Sequence, residues 1–445
     1  MYYSRPLASM LLATALAACS NSRPGEVGGP DTGPNPALAA PQQKLIPTVD
    51  IAPAVGWPQG AAPQPSADFS VKAFATGLDH PRTVLVLPNG DVLVAETNAP
   101  PKPEGAKSIK GMVMKAVMKK AGAAVPSANR ITLLRDTDAD GVADVRTAFL
   151  TGLHSPFGMA LVGDTLYVAN TDAVVRFPYR SGQTVIQAAP EKVADLPAGP
   201  INHHWTKAMV ASADGRRLYV GVGSNSNVAE NGMHNEVNRA AVLEIDPATG
   251  ATRLYASGLR NPTAMDISPH DGRLWAVVNE RDELGDELVP DYLTSVRDGG
   301  FYGFPYSYFG QTVDTRVKPQ APALVAKALK PDYALGSHVA PLGLAFYRSE
   351  ALPPRFKDGA FVGLHGSWNR KPLSGYKVVF VPFRQGVPMG PMETVLDGFV
   401  DANGDAQGRP VGVAVARDGA LLVADDVGNV IWRLAGAAPV RAATP

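Results

Sequence analysis

Cysteine is all but missing. A single one occurs in 445 residues, which excludes a disulfide framework and a Cys-rich metal centre. Net charge is missing too, because 41 Lys and Arg balance 41 Asp and Glu. Nucleic-acid binders carry a basic excess, so this balance counts against a nucleic-acid partner. The apolar run Leu7–Ala18 is too short to span a bilayer. Glycine and proline, by contrast, are plentiful, at 44 and 40 residues. Such frequencies supply many turns and favour an all-β chain.

Arg5 followed by the apolar run makes residues 1–18 a signal peptide. The run ends Leu-Ala-Ala-Cys at Leu16–Cys19, which resembles a bacterial lipoprotein cleavage box. That resemblance makes Cys19 the lipidated first residue of the mature chain. It implies the periplasmic face of the envelope and, with Ser20 next, the outer membrane. A lipid of this kind anchors a chain without spanning. Residues 19–66 are rich in Pro, Ala, Gly and Gln, lack apolar periodicity and read as a flexible tether. The folded unit is expected over 67–436, with a disordered tail over 437–445.

Six segments repeat one pattern: an alternating apolar run, a turn with Gly, and a second apolar run. They begin at Thr83, Gly158, Ala208, Ala264, Gly343 and Gly412. Each reads as a β-hairpin, and downstream stretches supply two further strands per unit. Six units of four antiparallel strands predict a six-bladed β-propeller. The last unit offers three strands, and Phe69–Ala75 has no earlier partner, so that strand is expected to close the ring. Two stretches read as inserts, roughly 99–130 and 283–338. The first contains a basic run, Lys107–Gly122, expected as an amphipathic helix with a solvated face.

A second repeat, Gly-Leu-x-x-Pro, precedes the inner strands. Its frame is constant and the residue before Pro is not. Round the ring that position holds His80, Ser155, His204 (before Trp205), Asn261, Ala340 and Arg409. In an up-and-down propeller this loop lies at the same end as the loop leaving the second strand. The six positions therefore converge on the channel mouth, where polar groups mark a binding site. His204 is the expected general base, with His203 as the rival one residue away. Arg260 and Asn261 are adjacent donors for one oxygen or a carboxylate. Arg370 and Arg409 add positive charge, and His154 and His80 face the same end. Asn279–Glu287 is acidic and offers oxygen ligands for Ca²⁺. Asp136, Asp138, Asp140 and Asp144 resemble half of an EF-hand loop and read as a structural Ca²⁺ site.

The ordered motifs "GLRNPTAMD", "VVNERDELGDELVPDYLTSVRDGGFYGFPYSY", "HVAPLGLAFY", "LHGSWNR" and "GRPVGVAV" resemble the sorbosone dehydrogenase-like sugar dehydrogenases. The resemblance runs from about residue 68 to 435. It implies a soluble propeller with pyrroloquinoline quinone (PQQ) across the mouth and Ca²⁺ on the quinone. It gives His204 the place of the base, and Arg260 and Asn261 that of donors to the reactive carbonyl. Asp286 would help fix the site, and His154, Ala340, Arg370 and Arg409 would bind cofactor. The backbone carbonyls of Arg281 and Asp282 would hold Ca²⁺. The implied reaction oxidises a sugar or alcohol, sorbosone among the candidates, and passes electrons to a separate quinone or cytochrome. No Cys-x-x-Cys-His haem motif is present. Two other readings stand beside it: a Ca²⁺-dependent lactonase-type hydrolase, and a non-catalytic envelope binding propeller.

Overall fold

The computed structural model describes residues 26–44, 48–101 and 117–437. The signal peptide, Cys19, most of the basic run and residues 438–445 lie outside them. Among the described residues no helix is long and apolar enough to cross a membrane.

The chain folds as a six-bladed β-propeller of four-stranded antiparallel blades. Blade 1 contains Pro81–Val86, Val92–Glu96, Arg130–Arg135 and Val145–Leu150. Blade 2 contains Gly158–Val162, Thr165–Ala169, Ala173–Pro178 and Glu191–Asp195. Blade 3 contains Met209–Ala211, Leu218–Val222, Ala241–Ile245 and Thr252–Ser257. Blade 4 contains Pro262–Ile267, Leu274–Val278, Pro290–Ser295 and Tyr333–Ser337. Blade 5 contains Pro341–Phe346, Gly359–Leu364, Lys377–Arg384 and Met392–Asp397. Blade 6 contains Pro410–Val415, Leu421–Asp425, Val430–Gly436 and, outermost, Phe69–Ala75. The closing strand is therefore the one expected, and it leaves the ring without an open joint.

Alternation along the strands explains why blades stack. Val92 and Val94 enter the core shared with blade 6, and Leu93 and Ala95 the core shared with blade 2. Each neighbouring pair of blades encloses its own hydrophobic cluster in this way. The inner strands line a central channel of about 500 Å³, with Val84, Met159, Met209, Met265, Leu344 and Val413 on its wall. Their close approach needs glycine. A Cβ on Gly343 would sit 2.1 Å from the Val411 carbonyl oxygen, and one on Gly412 2.5 Å from that of Arg82.

Two boundaries differ from expectation. Only residues 296–332 of the proposed 283–338 insert are extra. Pro290–Ser295 and Tyr333–Ser337 are the outer strands of blade 4. The described part of 19–66 is not a flexible tether. Thr32–Gly33 adds to blade 4 and Gln64–Pro65 to blade 5. Ile51 and Ala52 are buried, and the Trp57 ring packs on Phe399 and Trp432 with centroids 5.6 and 5.4 Å away. Composition marks this segment as unable to form its own core, but here it borrows the propeller's.

Candidate functional site at the channel mouth

The mouth is built by one repeated hydrogen bond. In blades 1, 4, 5 and 6, the residue before the inner strand accepts from the first residue after the second strand. The pairs are Thr97 N to His80 O (3.3 Å), Asn279 N to Asn261 O (3.0 Å), His365 N to Ala340 O (3.0 Å) and Asp426 N to Arg409 O (3.4 Å). His80, Ser155 and Ala340 have φ of 53°, 43° and 52°, the left-handed region, which turns the chain into the inner strand. Polar side chains cap the amides so exposed. Asp291 accepts from Ala340 N (2.8 Å) and Asp425 from Arg409 N (2.8 Å). Burial pushes the Asp291 carboxyl up to about 8, against hydrogen bonds from the Glu280 and Ala340 amides that favour its charged form.

Among the imidazoles at this end are His204, His365 and His80. His204 Nδ1 faces the Ser224 carbonyl at 2.8 Å, so Nδ1 carries the hydrogen and Nε2 keeps its lone pair. Burial holds the ring well below its ordinary range, and His203, Arg260 and Arg239 push the same way. No carboxylate backs it. His365 Nε2 bonds Asp426 Oδ2 at 3.0 Å, but that carboxylate also takes Arg82 Nη1 at 2.5 Å, with His80 Nε2 at 3.6 Å. Burial alone would raise the Asp426 carboxyl; the two imidazoles and Arg82 overcome this and hold it far below the usual range. His80 is driven down to about 4, first by burial and then by Arg82 and His365, against Asp426. His154 lies at the same end of blade 2 but is exposed, and its Nδ1 bonds Asp172 Oδ2 at 2.8 Å.

The expected donors are unevenly free. Arg260 spends its guanidinium on the carbonyls of Asn227, Asn279 and Glu280, on Asn227 Oδ1 and on Asp282 Oδ2. All five of its N–H groups are thereby committed, and it braces a loop instead of offering a donor. Asn261 is 6% exposed, and its Oδ1 is buried without a partner. Arg409 is 2% exposed, lies over the Tyr376 ring at 4.8 Å, and leaves its Nε buried without a partner. Arg370 reaches Ser337 O, Glu287 and Asp31, and its Nε, like that of Arg409, is buried without a partner. Asp286 is likewise not beside a base; it accepts from Thr48 Oγ1 (2.7 Å) and Lys44 Nζ (3.3 Å) of the N-terminal segment.

The expected calcium carbonyl of Asp282 is already occupied. Asp282 O already accepts from Asn227 Nδ2 (3.1 Å) and Arg316 Nη1 (2.9 Å), which fills both lone pairs. Arg281 is fully buried, its side chain paired with Glu280 and Asp314. On the outer loop of blade 1, Asp136, Asp138 and Asp144 present oxygens within 4.8 Å of one another, and Asp140 is not part of that group. Its carboxylate instead accepts from Val142 N at 2.7 Å.

The family described as TrAA12-like matches residues 124–292 and 314–437, more than half of the chain. The chain belongs to the TrAA12-like family. Among curated proteins it is 27% identical over 294 residues to an uncharacterized protein of Borreliella burgdorferi, a match covering 63% of this chain and 76% of that one. It is 33% identical over 135 residues to the PQQ-dependent pyranose dehydrogenase of Coprinopsis cinerea, covering 25% of this chain and 17% of that protein. Among solved structures, the holo PQQ domain of the Coprinopsis cinerea pyranose dehydrogenase is similar with a TM-score of 0.68 and 19% identity, covering 87% of this chain and 100% of that one. A calcium structure of the Trichoderma reesei family AA12 protein gives 0.69 and 18%, covering 88% and 99%. The PQQ-bound aldose sugar dehydrogenase of Streptomyces coelicolor gives 0.54 and 16%, covering 84% and 99%. This TrAA12-like chain thus shares its fold, at distant identity, with PQQ-dependent sugar dehydrogenases.

Sequence reasoning missed Asp172, Arg82 and Asp426, and the N-terminal residues Ala52 and Trp57. Asp172 had a weak signal, since it lies just beyond a second strand, where mouth loops begin. The others acquire their role only from chain segments far away.

Proposed function

We propose that this chain is a PQQ-dependent dehydrogenase that oxidises a sugar hydroxyl or hemiacetal, with His154 as general base. The observation that carries the reading is the His154–Asp172 pair at the mouth of a propeller whose fold is shared with PQQ enzymes. Asp172 fixes the tautomer with hydrogen on Nδ1 and leaves the lone pair on Nε2, directed away from the pair. His204 offers a lone pair too, but burial first, and then the neighbouring His203 and arginines, weaken it as a base. His365 shares its carboxylate with Arg82 and a second imidazole, so Asp426 is already neutralised.

The residues present fit a planar, polycarboxylate ligand. Arg409 Nε, Asn261 Oδ1 and Asn369 Oδ1 are buried and without protein partners, valences that a polar ligand would satisfy. Arg409 would meet a carboxylate, and Asn261 Oδ1 would accept from an N–H or O–H of the ligand. When bound, PQQ supplies a two-electron oxidant that accepts hydride. His154 takes the hydroxyl proton, and the apolar channel wall below limits water. The Asp282 carbonyl, with two donors already on it, has no lone pair open to Ca²⁺. Export, a lipid on Cys19 and a separate electron acceptor belong to the same proposal and rest on sequence. A lactonase-type hydrolase is disfavoured because, among the described residues, the mouth holds no cage of free carboxylates.

The test is titration of the full chain with PQQ, followed by absorbance under a panel of aldoses and sorbosone. Micromolar binding and bleaching of the quinone band by at least one sugar are expected. Absence of PQQ binding at micromolar concentration overturns the reading. His154→Gln is expected to keep PQQ binding and lose about 10²- to 10⁴-fold in turnover.

A further inference from the structure

The N-terminal segment does not attach to the propeller at random. It follows the rim of the mouth over blades 4, 5 and 6. Gln42 N donates to Leu284 O at 2.8 Å, and Thr48 Oγ1 to Asp286 at 2.7 Å. Asp50 N donates to Trp368 O at 3.0 Å, and Val55 N to Ala406 O at 2.9 Å. Trp57 Nε1 donates to Asp425 Oδ2 at 2.6 Å. Each of these propeller residues, from Leu284 to Asp425, lies at or beside the mouth end of its blade.

One contact reaches a ligand-facing group. Ala52 O accepts from Arg409 Nη2 at 3.0 Å. Ala52 is 1% exposed, so this bond is sealed from water. Tyr376 supports the other side of the same guanidinium. Arg409 is therefore clamped between a ring of blade 5 and a carbonyl of the N-terminal segment, with Nε left over. An arginine freed of that carbonyl regains its rotamers and turns toward the carboxylates of Asp425 and Asp426 or toward solvent.

We propose that Thr48–Trp57 is a working wall of the binding site, which positions Arg409 to receive a carboxylate and completes the mouth over blades 5 and 6. The proposal rests on the quinone-binding reading for the ligand's identity, but not for the placement of Arg409. The segment is a positioning element: it acts through Arg409. A propeller begun at residue 67 would lack it.

Two measurements on the full chain decide this. The first is the rate at which phenylglyoxal modifies Arg409, read by peptide mass spectrometry without any cofactor. The second is PQQ affinity. Trp57→Ala unlatches one end of the segment, and Thr48→Val the other. We expect Trp57→Ala to speed Arg409 modification and weaken PQQ binding by about tenfold each, the scale of one hydrogen bond to a charged group. Thr48→Val is expected to move both in the same direction by less. Trp275→Phe, in the core between blades 4 and 5 away from the mouth, serves as the control. It is expected to lower the melting temperature while leaving Arg409 reactivity unchanged. Wild-type modification rates in both Trp57→Ala and Thr48→Val overturn the proposal, as does an equal change in Trp275→Phe. If Trp57→Ala fails to fold, Thr48→Val decides alone. If the wild-type chain does not bind PQQ, the proposed function falls, and the modification rates still decide the wall.

Discussion

Trp57→Phe tests whether the N-terminal segment is part of the folded protein, and its cost follows from the contacts. The indole nitrogen donates to Asp425 Oδ2 at 2.6 Å, and Trp432 Nε1 donates to the same oxygen at 3.0 Å. Gly428 N and Arg409 N donate to the other oxygen at 2.7 and 2.8 Å. Phenylalanine keeps most of the edge-to-face packing on Phe399 and Trp432 but removes one of four donors. A hydrogen bond to a charged group is worth about 1.5–3 kcal/mol, and one to a neutral group about 0.5–1.5.

The charge state of Asp425 therefore sets the cost. Burial drives its carboxyl up to about 6, against the hydrogen bonds from Trp57 and Trp432. An acid raised on folding stabilises the fold where it is protonated. Its contribution is full below the unfolded value near 4, is lost as pH rises from about 4 to about 6, and is flat above. Removing a donor raises the folded value further and extends that loss upward. The variant should then lose about 1 kcal/mol more at pH 8 than at pH 5. Urea denaturation of wild type and variant at the two pH values measures this. An equal loss at both, or a greater loss at pH 5, refutes the reasoning. No measurable loss at either pH refutes the docking of the segment itself.

Gly223→Ala would place a Cβ 2.3 Å from Asn261 Oδ1 and 2.5 Å from His204 Cβ. It should cost about 1–3 kcal/mol by overpacking and weaken PQQ binding more than variants of equal stability far from the mouth, measured by thermal melting and titration. Trp275→Ala removes a ring 1% exposed, packed 5.0 Å from Phe383 and 6.1 Å from Phe346, and should cost about 3–5 kcal/mol in urea denaturation. Asp291→Asn should destabilise by about 1–3 kcal/mol at neutral pH, because an amide N–H₂ must face a main-chain donor. The same change should flatten the fall in stability as pH rises from about 4 toward 8, where Asp291 titrates, checked by urea midpoints across that range.

The propeller was legible because its information is local and repeated. Each hairpin carries its own turn and its own alternation, so six weak signals confirm one another. Phe69–Ala75 was legible by subtraction, as a strand with no partner in a ring that must close. The segment before it was not legible. Its anchors are isolated residues without period, and their partners are remote: Thr48 meets Asp286 238 residues on, Ala52 meets Arg409 357 on, and Trp57 meets Asp425 368 on. A Pro- and Ala-rich sequence with three such anchors has the composition of a linker and the behaviour of a docked peptide. The outer strands of blade 4 were hidden for a related reason, since a 37-residue insertion, residues 296–332, separates hairpin partners that are normally close in sequence.

The hub was legible in position and not in chemistry, and the distinction is physical. One residue per blade precedes the inner strand, so the mouth positions follow from the repeat. What a side chain can still do there depends on the valence left over after folding. Arg260 has five donors in the sequence and none to spare in the fold, because two loops supply acceptors for all of them. Arg409 has the same five, and burial between Tyr376 and Ala52 leaves its Nε unspent. Asp426 lies in the last blade and meets His80 of the first, 346 residues away, only because the ring closes. The Asp172 partner of His154 follows a strand 18 residues later and is invisible to spacing arguments. An acid–base or anion site on a propeller is thus a difference between supply and demand across blades. That difference exists only once neighbouring loops have been brought together.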